Sequence, residues 1–244
     1  MTESTAAPAV APKPASFWED LIDIFYQPSD VFRRRAYSSP GPIFLFVVIA
    51  MAVITMATYP AIAPAFDGDY SRNIAKVMAE NPQLTQEMVD KGQRYQAIGF
   101  QYFSGIVLAA VILFIAFLVW LVGKMFGAKE TFGAALLITS YAYMPRVIGA
   151  VVLGLQGLLM DPTKLTSLSQ LTLSPARFLD ANTANPLTMA VLSRLDVTTL
   201  WETALLGIGI AVLGKVSRSK AIGFAITILI VGSLYQLRAA YIIS

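Results

Sequence analysis

The sequence predicts an all-α, polytopic membrane bundle of five transmembrane helices behind an amphipathic amino-terminal helix on the cytoplasmic side. Three observations lead there. Charged residues make up only 14% of the chain and hydrophobic ones 56%, the balance of an integral membrane protein. Uncharged apolar runs recur at about the ~20 residues needed to cross a bilayer. The short connections between the later runs are basic, as loops on the cytoplasmic side are.

Composition also excludes whole classes of chemistry. There is no cysteine and no histidine, which removes disulfides, thiolate nucleophiles, the usual zinc sites and imidazole acid–base catalysis. The net charge of +3 is too small and too dispersed to suggest nucleic acid. No catalytic residue, cofactor or metal is expected, and the protein reads as a non-enzyme.

Taking the elements in order, residues 1–15 are mostly Ala, Pro, Ser and Thr, with Lys13. They bury too little apolar surface to offset ordering and read as a disordered tail ahead of one membrane domain over 16–244. They do not read as a signal peptide, because the first long apolar run begins only at Ile43. Ser16-Phe-Trp-Glu19 has the form of a capping box. Phe17, Trp18, Leu21, Ile22 and Phe25 then fall on one helical face, with Glu19, Asp20 and Asp23 elsewhere.

Pro28 ends that helix, and a second turn, Ser29 to Phe32, leads into Arg33-Arg34-Arg35. An interfacial helix before a span is one reading, but such helices carry lysine and arginine on the polar face. This acidic one would be repelled by anionic lipid and accepted by a basic protein surface such as Lys124, Lys215 or Lys220. Its five apolar residues are therefore the candidate partner-contact surface.

Spans are predicted at about 43–63, 98–122, 131–160, 200–216 and 221–241. The third contains Pro145 and Arg146. A proline leaves a carbonyl one turn back without its amide, and a charge in hydrocarbon is costly unless paired or hydrated. That span belongs inside the bundle. The fourth is short and glycine-rich, with Gly207, Gly209 and Gly214, which suits close helix packing.

Orientation follows from lysine and arginine beside the spans. One side holds Lys13, Arg33, Arg34, Arg35, Lys124, Lys129, Lys215, Arg218 and Lys220. The other holds Arg72, Lys76, Lys91, Arg94, Lys164, Arg177 and Arg194, spread over longer loops. The tight basic turns 124–129 and 215–220 decide it: the amino terminus is expected in the cytoplasm, the carboxyl terminus outside, and the protein in the cell membrane. On the outer side Asn81-Pro82 and Asn185-Pro186 are helix starts. They predict a helical extension of span two over about 83–95 and a short helix over 187–195. Ser174-Pro175 is a weaker third start.

Several local patterns then add up. Trp18-Glu-Asp-Leu-Ile-Asp-Ile-Phe-Tyr-Gln-Pro28-Ser-Asp-Val-Phe32 resembles the amino-terminal signature of the Yip family, membrane proteins that interact with Ypt/Rab GTPases. Gly127-Ala-Lys-Glu-Thr-Phe-Gly-Ala-Ala-Leu followed by Tyr141-Ala-Tyr143-Met-Pro145 resembles that family's entry into its third span. Leu200-Trp201-Glu-Thr-Ala-Leu-Leu-Gly-Ile-Gly209 resembles its fourth. The likeness runs from about residue 17 to the end and is nearest the prokaryotic branch. For eukaryotic members it implies vesicle traffic and membrane shaping with small GTPases. It implies no active-site residue here.

Three charges lie within the predicted spans: Arg146, Glu202 and Arg238. Arg146 is fifteen residues beyond Thr131, or ~22 Å along the axis, past the midpoint of a ~30 Å core. Glu202 and Arg238 each lie about three residues, or ~5 Å, inside the outer boundary. With Tyr141 and Tyr143 they form the candidate intramembrane polar cluster, in which Glu202 is expected to pair first with Arg238 and second with Arg146. Such charges are either a pathway or ligand site, or an internal ion pair. One acid serving two bases near the outer face reads as an anchor. Two functions from different classes remain. One is a Yip-like scaffold or adaptor, in the lipid bilayer with a protein partner or a second copy. The other is a small-solute permease or channel using the Arg146 region. Span two offers a pore only Gln101 and Ser104 near its outer end, which favours the scaffold.

Overall fold

The computed structural model describes residues 16–81 and 83–243; the tail expected over residues 1–15 lies outside them. Among the described residues there are helices and turns but no strand. Two short helices, α1 (Phe17–Tyr26) and α2 (Pro28–Arg34), precede α3 (Gly41–Glu80) and α4 (Gln86–Met125). Then come α5 (Phe132–Ala142), α6 (Met144–Leu159), α7 (Pro186–Ser193), α8 (Val197–Leu213) and α9 (Arg218–Ile243). Three 3-10 turns, at Pro162–Lys164, Leu168–Leu171 and Pro175–Phe178, carry the loop after α6.

Among the described residues, four helical stretches are long and apolar enough to cross a membrane alone: α3, α4, the α5–α6 run and α9. A fifth crossing needs α7 and α8 together, bent by 51°. α3 and α4 have 40 residues each, or ~60 Å at 1.5 Å per residue, twice a ~30 Å hydrocarbon core. α3 carries Pro60 and Pro64 inside it and runs on to Glu80, well past the segment predicted to span. Its partner α4 begins at the Thr85 cap.

The α5–α6 run is the innermost crossing. Of its apolar window 56% is buried, against 11–22% for the other three, so this helix faces protein and those face lipid. It breaks at Tyr143, the shared cap, because Pro145 has no amide to donate. Arg146 and Val147 instead donate to the Tyr143 carbonyl at 2.9 and 3.2 Å. Close packing supports the same core. A Cβ on Gly209 would sit 2.5 Å from Ile138 of α5, and one on Gly154 of α6 would sit 2.2 Å from Thr58 of α3. Only a hydrogen fits at either place.

At the end of the bundle that carries the amino terminus, the capping box of α1 is complete. The Ser16 hydroxyl accepts from the Glu19 amide at 3.2 Å, and the Glu19 carboxylate accepts from the Ser16 amide at 2.5 Å. Ile24, Val31 and Phe32 are fully buried, and Phe32 meets Tyr141 of α5 edge-on, ring centres 6.2 Å apart. α1 and α2 thus plug this end of the bundle. The two basic turns lie here as well, tied by the Lys129 amide donating to the Gly214 carbonyl at 2.9 Å.

Inside that junction the Glu130 side chain is completely buried, packed where a Cβ on Gly123 or Gly214 would touch it. Neither of its carboxylate oxygens has a hydrogen-bond partner among the described residues. Lys124 Nζ is 4.0 Å away and donates to the Glu130 and Ala128 carbonyls at 2.5 and 3.2 Å.

At the opposite end, the loop after α6 is pinned to α3 and α6. Asp69 accepts from the Leu168 amide and the Ser167 hydroxyl, each at 2.9 Å. Gln156 accepts from Arg177 at 2.6 Å and donates to the Leu171 carbonyl at 3.1 Å. The expected helix starts appear at Asn185 and Ser174, leading into α7 and the last 3-10 turn; Asn81 instead caps the end of α3, and α4 starts at Thr85, whose hydroxyl accepts from the Met88 amide.

Candidate functional site

Besides the Glu130–Lys124 junction, two groups of charged side chains stand out among the described residues, one at each end of the bundle. The first is built on the proline break. Pro145 restarts the helix so that Arg146, the third residue of α6, faces α8. There Thr199 and Glu202, three residues apart, share one face. Arg146 Nε donates to the Glu202 carboxylate. A second guanidinium nitrogen is 3.5 Å from the Thr199 hydroxyl, and the cation lies 5.5 Å from the centre of the Tyr143 ring, within cation–π range. Glu202 is 5% exposed.

A second base stands across a small cavity of about 120 Å³ that Arg146, Glu202 and Arg194 line together. Arg194 is the C-cap of α7, and its Nε donates to the Ser233 hydroxyl of α9 at 2.9 Å. The cluster therefore touches α6, α7, α8 and α9 through one carboxylate and two guanidiniums.

Of the residues expected in this cluster, Arg146, Glu202 and Tyr143 come together. Arg238 does not. It is exposed on α9, and the first-choice pairing with Glu202 gives way to the second, with Arg146. Depth along the membrane normal had favoured Arg238, but the direction of α6 after its break and the shared α8 face bring Arg146 in. Tyr141 is not part of the cluster either; two residues before Tyr143 on a helix, it points elsewhere.

Tyr141 belongs to the second group. Its hydroxyl is 3.4 Å from the Asp20 carboxylate. Asp20 is wholly buried and accepts from Arg34 Nε at 2.5 Å and from Arg35. Arg34 also reaches Asp23 at 2.5 Å. Burial alone would lower the Arg34 pKa, but the hydrogen bonds it donates to Asp23 and Asp20 hold it above its ordinary value. α1 thus docks on the protein itself, yet the bases that receive its acids are Arg34 and Arg35. They replace the expected Lys124, Lys215 and Lys220, because the turn at Pro28 folds α2 straight back onto α1.

That docking divides the apolar face of α1. Phe17, Leu21 and Phe25 pack toward the core, whereas Trp18 (67% exposed) and Ile22 (63%) point outward with Tyr26 (79%). Two of the five expected contact residues are presented, three are spent on docking, and Tyr26 completes an outward stripe at i, i+4 and i+8.

Sequence reasoning passed over Arg194, Thr199 and the Arg34–Asp20–Arg35 group. Arg194 was one base among several in an outer loop; only its place eight residues before Glu202, across a helix start at Asp196, hinted that it returns to the same site. Among the described residues no three acids gather as a metal site would require. What the arrangement does chemically is neutralise charge inside an apolar body and tie helices together.

Comparison with known proteins agrees with this architecture. The Yip1 domain matches residues 22–237, from the middle of α1 to within two turns of the end of α9. No curated protein and no solved structure matches the chain. A domain match over nearly the whole helical body, on an all-helical membrane fold with the same amino-terminal signature, places the chain in the Yip family.

Proposed function

We propose that the protein is a membrane scaffold or adaptor of the Yip type, in the cell membrane with its amino terminus in the cytoplasm, organising membrane or a protein complex without catalysis. The observation that carries this reading is the α1 stripe of Trp18, Ile22 and Tyr26. These side chains are presented by a helix whose other face is fixed by buried contacts and by the Asp20–Arg34 and Asp23–Arg34 ion pairs at 2.5 Å. A rigidly held aromatic and aliphatic strip is what a protein contact uses. The Arg146–Glu202 pair supports the same reading, since it spends the deepest charge of the innermost crossing on a bond between helices.

The test is co-isolation in mild detergent, comparing the wild type with a Trp18→Ser, Ile22→Ser, Tyr26→Ser variant whose melting temperature is checked. The expected outcome is loss of a specific co-isolated protein from the variant, with the fold intact. An unchanged set of partners, or solute flux in reconstituted vesicles that Arg146→Leu abolishes, overturns the proposal in favour of a permease.

A further inference from the structure

A groove of about 520 Å³ runs along the outside of the bundle between α8 and α9. Its floor is low because Gly207 meets Ala225 closely; a Cβ on the glycine would lie 3.2 Å from the alanine's. Arg218 of α9 and Ser29 of α2 stand at its mouth, and Leu229 lines its far end. From Arg218 to Leu229 is eleven residues of helix, or ~16 Å, which is half of a ~30 Å hydrocarbon core. The groove thus begins at the membrane boundary and ends near the midplane, the depth of one leaflet. Its volume falls within the ~300–1,000 Å³ of sites that bury a small molecule.

The mouth is cationic. Lys215, Arg218 and Lys220 are all exposed, and none of them forms an ion pair among the described residues. The acid next to Ser29, Asp30, is already held by Arg33 at 2.7 Å. A second groove, about 560 Å³ between α3 and α4, is lined by apolar and neutral residues alone. Of these two grooves, the α8–α9 one couples a one-leaflet apolar trough to a guanidinium that forms no ion pair among the described residues.

We infer that this groove binds one anionic phospholipid, its acyl chain lying along the trough and its phosphate on Arg218. Arg218 provides planar, multiple donors suited to phosphate oxygens. Lys215 and Lys220 add attraction for anionic headgroups without lining the groove. The lipid fills the cleft between two crossings that small residues leave open, so it completes the lipid-facing wall of the bundle.

The experiment is native mass spectrometry of the full chain released from detergent, with phosphatidylglycerol and phosphatidylcholine added in equal amounts. The wild type is expected to retain a single phosphatidylglycerol at about fivefold the level of phosphatidylcholine, the preference one basic contact supplies at a membrane surface. Arg218→Gln should bring the two lipids level. Ala204→Leu, at an exposed position on the same groove, should lose retention of both. Lys220→Gln removes an equal charge from the same turn and should leave the ratio unchanged. Equal retention by the wild type overturns the inference. So does an effect of Lys220→Gln as large as that of Arg218→Gln, which would mean diffuse attraction, or full retention by Ala204→Leu, which would place the lipid elsewhere.

Discussion

Glu202 illustrates how much a single side chain depends on its surroundings. Its carboxylate is buried and bound to Arg146, so removing either partner leaves a lone charge in an apolar body, a loss of ~3–5 kcal/mol, whereas replacing both by apolar residues costs little. Glu202→Leu is therefore expected to lower the melting temperature in detergent, and Arg146→Leu in the same chain to restore most of it. Adding Arg238→Leu instead should restore nothing. Strict additivity of Glu202→Leu and Arg146→Leu would deny the pair.

Glu130 is the contrasting case: burial raises its pKa, with its own backbone and Lys124 lowering it only in part. A carboxyl held above its unfolded value binds more protons when folded, so its ionisation costs stability as pH rises from the ordinary carboxylate range through the raised value. Glu130→Gln should then melt higher than wild type at neutral pH and lose that advantage in acid. A gain of the same size at both pH values would disprove the linkage.

At the scale of elements, α1 and α2 form one unit because Pro28 separates them by a single turn and Asp20 joins them. The Asp20 side chain is wholly buried between Arg34, Arg35 and Tyr141. Asp20→Asn leaves two guanidiniums facing a neutral group, and the expected cost is again ~3–5 kcal/mol. Hydrogen exchange should show that cost locally, with amides of α1 and α2 losing protection while those of α5 and α6 keep theirs. Uniform loss across all helices would mean that the plug is not a separable element. The acidity of α1 argued against lipid and for a basic protein surface. A basic surface does receive its acids, but the bases come from the next helix in the chain.

For the whole molecule, the two basic turns and the α1–α2 plug share one end, and the 3-10 loop shares the other with α7. With the plug end in the cytoplasm, single cysteines at Lys129 and Thr172 in this cysteine-free chain should label from opposite sides of sealed vesicles with an impermeant maleimide. Labelling of both from one side would refute a full crossing by the α5–α6 run. The element this experiment tests is the α5–α6 run, which lies between the two labelled positions.

Composition and periodicity by themselves determined the membrane class, the helical content, the position of each long helix and the caps at Ser16 and Asn185. All of these rest on local physics: apolar runs that need lipid, and side chains that satisfy amides three residues away. The break at Tyr143 was equally legible, since proline lacks its donor wherever it stands. So was the extension of α4 ahead of its span, but the run of α3 on to Glu80 was not, because α3 and α4 support each other outside the bilayer, and that is a pairwise property.

The partners of the buried charges were decided by the tertiary structure alone. Depth along the membrane normal can be counted in residues, but azimuth around a helix axis cannot. Whether Glu202 meets Arg238 or Arg146 turns on the bend at Pro145 and the rotation of α6 against α8. For the same reason five apolar residues on one predicted face of α1 became three inward and two outward only when Asp20 fixed the helix's roll.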